Sequence, residues 1–207
     1  MSKQVYSLVL DDAVVMAVDR AAYLGRTSRS EMINRILSEQ LSVITPEMRA
    51  RRLLSELNRM LSEEGEMLLL SCSDSALTLS SALAYKYRPT VRYLLQPALS
   101  GGVGRLVMSM RSRSDSLLAA FEAFCLLFTR LEQSRIGTGI GRYQIEPGRF
   151  TREIAYGENL DPERYVQILR SDLMLIDGCL KDYFADPSSA YGRMAERYDA
   201  HLAGLRG

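Results

Sequence analysis

The chain has 207 residues, 47% of them hydrophobic, with 26 Lys+Arg against 25 Asp+Glu and a formal net charge of +1. That length holds one or two domains with ordinary cores and excludes disordered and fibrous classes, and the near-neutral total lacks the basic excess usual in a dedicated phosphate binder. The single histidine, His201, and the scattered cysteines Cys72, Cys125 and Cys179, with no C-x-x-C pair, leave little for zinc sites, Ser-His-Asp or Cys-His catalysis, or disulfides. The expectation is a chain without catalytic residues, metal ligands or cofactors. No apolar run is long enough to span a bilayer, and Met1-Ser2-Lys3-Gln4 does not open a secretory signal, so a soluble cytoplasmic protein without a membrane partner is expected.

Residues 4–10, Gln-Val-Tyr-Ser-Leu-Val-Leu, alternate as a short strand, with Tyr6, Leu8 and Leu10 on one side and Val5, Ser7 and Val9 on the other. Asp11 and Asp12 start a helix in which Val14, Val15, Val18, Ala21, Ala22 and Leu24 recur at three- and four-residue spacing until Gly25. Ser28 and Glu31 have the spacing of a capping box, and the helix they open carries Met32, Ile33, Ile36, Leu37 and Leu41 inward and stops before Thr45-Pro46. One strand and two short helices cannot close a core alone, because the strand lacks a partner and each helix exposes an apolar stripe, whereas two copies can.

This order, with the run Gly25-Arg26-Thr27-Ser28-Arg29-Ser30-Glu31-Met32-Ile33, resembles the ribbon-helix-helix (Arc/MetJ/CopG-type) DNA-binding family over residues 3–43. The resemblance implies an intertwined homodimer whose paired strands enter the major groove of double-stranded DNA, with Val5, Ser7 and Val9, and Lys3 at the ribbon end, facing the bases. Two valines there depart from the polar side chains usual in the family; the opposite strand parity instead exposes Gln4, Tyr6 and Leu8. The resemblance also places phosphates at the head of the second helix, near Ser28 and Ser30, with Arg26 and Arg29 adding charge.

Thr45-Pro46-Glu47 starts a linking helix, residues 46–65, that carries Met48, Leu53, Leu54, Leu57, Met60 and Leu61. An α+β domain is expected over 66–207, as a four-stranded antiparallel meander packed by helices. Its strands are 67–72; a long alternation from Leu77 through Leu83, Tyr85 and Tyr87 to Arg88; Val91-Tyr93-Leu95; and, after the glycines 101, 102 and 104, Leu106-Met108-Met110. A helix over 115–132 covers the sheet, residues 134–158 read as irregular, the run from Gly137 to Gly141 reads as a loop, and Asp161-Pro162 and Asp186-Pro187 announce two final helices.

The charge is unevenly spread: residues 1–75 carry −2, 76–114 carry +6 and 115–207 carry −3. Strand parity predicts that Lys86, Arg88, Arg92, Arg105 and Arg111 line the sheet face opposite the Leu/Tyr/Met stripe, a site for an anionic effector, RNA or another nucleic-acid backbone, or an acidic protein. The competing reading pairs these cations with acids between Asp161 and Asp186. Tyr85 and Tyr87 are predicted to point into the core. Two functional readings follow: a DNA-binding transcriptional regulator that works as a homodimer or higher oligomer, and a nucleic-acid accessory protein that uses the basic sheet face for RNA, single-stranded DNA or a protein partner.

Overall fold

The computed structural model describes residues 5, 7–41, 43, 46–65, 67–98, 103–137, 141–155 and 161–206. It is an α+β chain in two units, residues 1–45 and 46–207.

In the first unit, helix α1 (Asp12–Leu24) is capped by Asp11, whose carboxylate accepts from the Ala13 amide at 3.2 Å, and helix α2 (Arg29–Gln40) opens on the expected capping box. There Glu31 N–H donates to Ser28 Oγ at 3.2 Å while Ser28 N–H donates to Glu31 Oε2 at 3.3 Å, so two helix-end donors are satisfied reciprocally. Among the described residues of this unit, Val18, Ala22 and Met32 are buried, with Ala21 and Ile33 packed against them. Val14, Leu24, Ile36, Leu37 and Leu41 are exposed, so five of the eleven residues expected to face inward have nothing to cover them within one chain. Residues 5 and 7–10 form no strand within the single chain, where a lone extended segment has no neighbour to complete its backbone hydrogen bonds.

The second unit begins with helix α3 (Pro46–Glu64), which buries Ala50, Leu53, Leu54, Leu57 and Leu61. Six strands follow, β1 (Leu68–Cys72), β2 (Leu77–Ala82), β3 (Thr90–Gln96), β4 (Val103–Met110), β5 (Gly141–Glu146) and β6 (Arg149–Ala155), in one antiparallel sheet of order β1-β2-β3-β4-β6-β5. Helix α4 (Asp115–Ile136) joins β4 to β5, and helices α5 (Pro162–Ala185) and α6 (Ala190–Arg206) close the chain. Period-two patterning decides which side is covered: Leu77, Leu79, Val91, Tyr93, Leu95, Leu106, Met108, Met110 and Phe150 are buried with Phe121, Phe124 and Phe128 of α4 and the inner stripes of α5 and α6. The opposite face carries Arg92 and Arg105 in solvent.

The second unit departs from the predicted elements in three places. Strand β2 stops at Ala82, because Tyr87 and Arg88 adopt positive φ of 66° and 45° and the chain turns there. The stretch read as irregular contains β5 and β6, a hairpin closed by Pro147-Gly148, where Gly148 at φ 68° supplies the left-handed third turn residue. A Cβ at Gly148 would lie 2.6 Å from the Met110 carbonyl oxygen, so glycine is required by contact as well as by conformation. Finally, Asp161 caps α5 as expected, accepting from the Glu163 and Arg164 amides, but Asp186 serves the turn after α5 and α6 begins only at Ala190.

Candidate nucleic-acid interface

The residues expected to face bases are fully in solvent where described: Val5, Ser7 and Val9 are all exposed, and Lys3 lies outside the described residues. At the head of α2 the amides of Arg29 and Ser30 have no acceptor within the helix, as the first turn of any helix dictates, and point outward with the positive end of the helix dipole. Ser28 is engaged in the capping box. Thr27 Oγ1 donates to Glu31 Oε2 at 2.7 Å, which keeps that carboxylate folded against the helix end. Arg26 is exposed with φ 49°. The Arg29 guanidinium makes a bidentate ion pair with Asp19 of α1, both bonds 2.5 Å, and holds the Asp19 carboxyl below the usual range. Both side chains are about half exposed, so the pair is a weak surface contact that an incoming phosphate can replace.

The five cations predicted to share one sheet face do not share it. Arg92 on β3 and Arg105 on β4 project from the open face, and Arg105 donates to Glu153 of β6 at 2.7 Å, a partner from the neighbouring strand rather than from the C-terminal helices. Lys86 and Arg88 sit in the loop between β2 and β3, and Arg111 lies just beyond the end of β4. The two tyrosines of that loop, expected in the core, are exposed: Tyr85 by 44% and Tyr87 by 89%. Early termination of β2 removes them from the strand parity on which the core assignment rested.

A polar cluster inside the second unit has no counterpart in the sequence reading. Arg152, the inward-facing cation of β6, forms a bidentate ion pair with Glu132 of α4 and reaches Asp172 of α5 at 3.2 Å; all three are buried. Glu132 also accepts from the hydroxyls of Tyr143 and Tyr198, each at 2.8 Å. His201 Nε2 lies 2.9 Å from Asp172 Oδ1, and His201 Nδ1 lies 2.8 Å from Ser171 Oγ. Burial, and secondarily the Glu132 charge, pushes the Tyr143 and Tyr198 phenols well above their ordinary range. A second buried group, Tyr93 OH donating to Asp177 at 2.7 Å with Lys181 Nζ at 2.7 Å from the other carboxylate oxygen, ties β3 to α5.

The line Ser171, His201, Asp172 has the connectivity of a proton relay, yet Ser171 stands inside α5, where the flanking amides belong to the helical hydrogen-bond ladder and cannot serve as paired oxyanion donors. Its chemistry is that of a tie between α5, α6, α4 and the sheet. Among the described residues, no group of three or more His, Cys, Asp or Glu side chains is placed to hold a metal, and no helix is long and apolar enough to cross a membrane. Cys72 is exposed, Cys125 and Cys179 are buried, and all three thiols are free. The cations and helix-end amides singled out from the sequence thus lie, where described, at the head of α2 and mostly in the loops of the second unit. Comparison with protein-family models, with curated proteins and with solved structures finds no match to this chain.

Proposed function

We propose that the chain is a sequence-specific, double-stranded DNA-binding transcriptional regulator that acts as a homodimer through residues 1–45, in the manner of a ribbon-helix-helix protein. The observation that carries this reading is the incompleteness of the first unit. A strand-prone segment, exposed at its described residues, precedes two helices that bury three side chains between them and leave Leu8, Leu10, Val14, Ile36 and Leu37 in solvent. A second copy, pairing its segment antiparallel to the first, supplies the missing backbone partners and covers the stripe. The outward row Val5, Ser7, Val9 then stands on the ribbon, and the amides of Arg29 and Ser30 flank it for phosphate contact. Base readout from that row rests on apolar contact, such as to thymine methyl groups, and on one hydroxyl.

The test is selection of bound fragments from a random duplex pool by the full chain. A two-fold symmetric motif with half-sites about one helical turn apart is expected. A pool without enrichment overturns sequence-specific binding, and a monomer in sedimentation at micromolar concentration overturns the dimer.

A further inference from the structure

The loop between β2 and β3, residues 83–89, places two bulky side chains in succession in the left-handed region, Tyr87 at φ 66° and Arg88 at φ 45°. The Arg88 amide donates to Tyr85 O at 2.8 Å to close the turn, and the Leu83 amide donates to Pro89 O at 2.9 Å to close the loop. The third position of such a turn favours glycine or asparagine, because a Cβ is crowded there; strain of this kind persists where the geometry serves something beyond folding. Here it holds an aromatic ring away from the core. Tyr87 is 89% exposed, although burying that ring is the ordinary gain from a tyrosine. Tyr85 packs edge-on against Phe184, centroids 5.5 Å apart, and so fixes the loop on the body of the unit. The Lys86 ammonium sits 5.2 Å from the Tyr87 ring centroid.

Topology brings further cations to the same end of the sheet. The registers Val91 to Met110 and Ser109 to Arg149 place the start of β3, the end of β4 and the start of β6 beside one another. Lys86, Arg88, Arg92, Arg111, Arg113 and Arg149 are thereby gathered there, all exposed. Among the described residues, the acids brought to that end include Glu146, 4.0 Å from Arg149, Asp115 in the first turn of α4, and Glu63 near the end of α3, which leads into β1 and is ion-paired with Arg59 at 2.6 Å. Beyond Phe184, Asp182 and Asp186 are ion-paired with Arg193 and Arg197.

We propose that this end of the sheet binds single-stranded nucleic acid, with Tyr87 stacking on an unpaired base and Lys86, Arg88, Arg92 and Arg111 holding successive phosphates. The cations are spread over separate connections instead of converging on one point, which fits a chain of phosphates better than one small anion. The exposed ring distinguishes a single strand from a duplex, whose bases are already stacked. This inference stands on the second unit alone and is independent of the duplex-binding reading of the first.

The experiment measures fluorescence anisotropy of labelled oligo-dT and oligo-rU of about 15 nucleotides, and of a duplex of equal length, with the full chain across a salt series. Single-strand binding is expected, with a log-log salt slope that loses roughly 0.7 for each of Lys86→Gln and Arg88→Gln. Tyr87→Ala is expected to weaken it about 5- to 100-fold, the range of one base-aromatic stack, while Tyr87→Phe retains it. Tyr87→Gly separates recognition from folding: it should raise the unfolding midpoint by about 2–4 °C through relief of strain while weakening binding as alanine does. No binding of either oligonucleotide at low salt overturns the proposal. So does unchanged affinity in Tyr87→Ala, and so does competition by polyglutamate equal to that of oligo-dT with no dependence on Tyr87, which would mark an acidic-protein surface instead.

Discussion

Arg152 matters to the second unit's integrity because it compensates two buried carboxylates at once, Glu132 and Asp172. Arg152→Ala is expected to cost about 3–5 kcal/mol in urea unfolding, since it leaves buried charge without its partner, whereas Arg105→Ala, at an exposed pair, should cost less than about 1 kcal/mol. The tyrosines around Glu132 give a pH signature. Their folded-state values are raised, so the phenols remain protonated in the folded chain while unfolded tyrosines ionise from about pH 10. The stability they contribute is complete below that value and is lost as pH rises above it. A Tyr143→Phe/Tyr198→Phe variant should therefore start from a lower neutral-pH plateau and show a shallower alkaline decline in stability. The cluster of Arg152, Glu132, Asp172, Tyr143 and Tyr198 was not legible beforehand, because its partners are separated by 11, 20 or 66 positions and share no local pattern. Arg152 would have stood out as an inward charge only once β6 and its parity with Phe150 were known.

At the scale of elements, local chemistry was the better guide. The capping box at Ser28 and the Asp161 cap are satisfied by neighbours within a turn, and the spacing of Leu53, Leu54, Leu57 and Leu61 puts them on one helix face for the core, so these signals carry through to structure. The β5–β6 hairpin was equally available in the alternation from Arg142 to Glu146 and the Pro147-Gly148 pair, and was masked by the glycines that precede it. The end of β2 was faint: in residues 77–88 only Ser81, at an apolar position, breaks the alternation, which resumes at Leu83 and runs on past the strand to the backbone turn at Tyr87 and Arg88. Gly148→Ala tests how much the hairpin depends on its turn. With positive φ and a carbonyl oxygen 2.6 Å from the added carbon, it should cost more than about 1 kcal/mol in thermal unfolding, while Gly192→Ala, with open space around it, should be neutral or slightly stabilising.

For the whole molecule, the contrast between the two units governs how stability responds to concentration. The second unit has a continuous core from α3 to α6, and the first has three buried side chains among its described residues. Unfolding followed by a probe in residues 1–45 should shift to higher temperature as protein concentration rises, and a probe on the second unit should be concentration-independent; coincident, concentration-independent transitions would argue against assembly through the first unit. The charge follows the same division. Residues 1–45 are neutral, with five basic and five acidic side chains, so any strong electrostatic attraction to nucleic acid must come from the segment between Lys86 and Arg113. That segment was legible as a charge excess, but its distribution over loops was not, since parity arguments hold only while a strand lasts.

The placement of β6 between β4 and β5 has a kinetic meaning. Strands β1 to β4 can pair with the neighbour next in sequence, and β5 with β6, but joining these two pieces requires α4 to fold back across the sheet and seat Glu132 against Arg152. Long-range closure of that kind comes late on a folding route, after the local hairpins have formed. The buried ion cluster would then act as a latch on a finished structure: weakening it should steepen the escape from the native state and leave the rate of reaching it nearly unchanged.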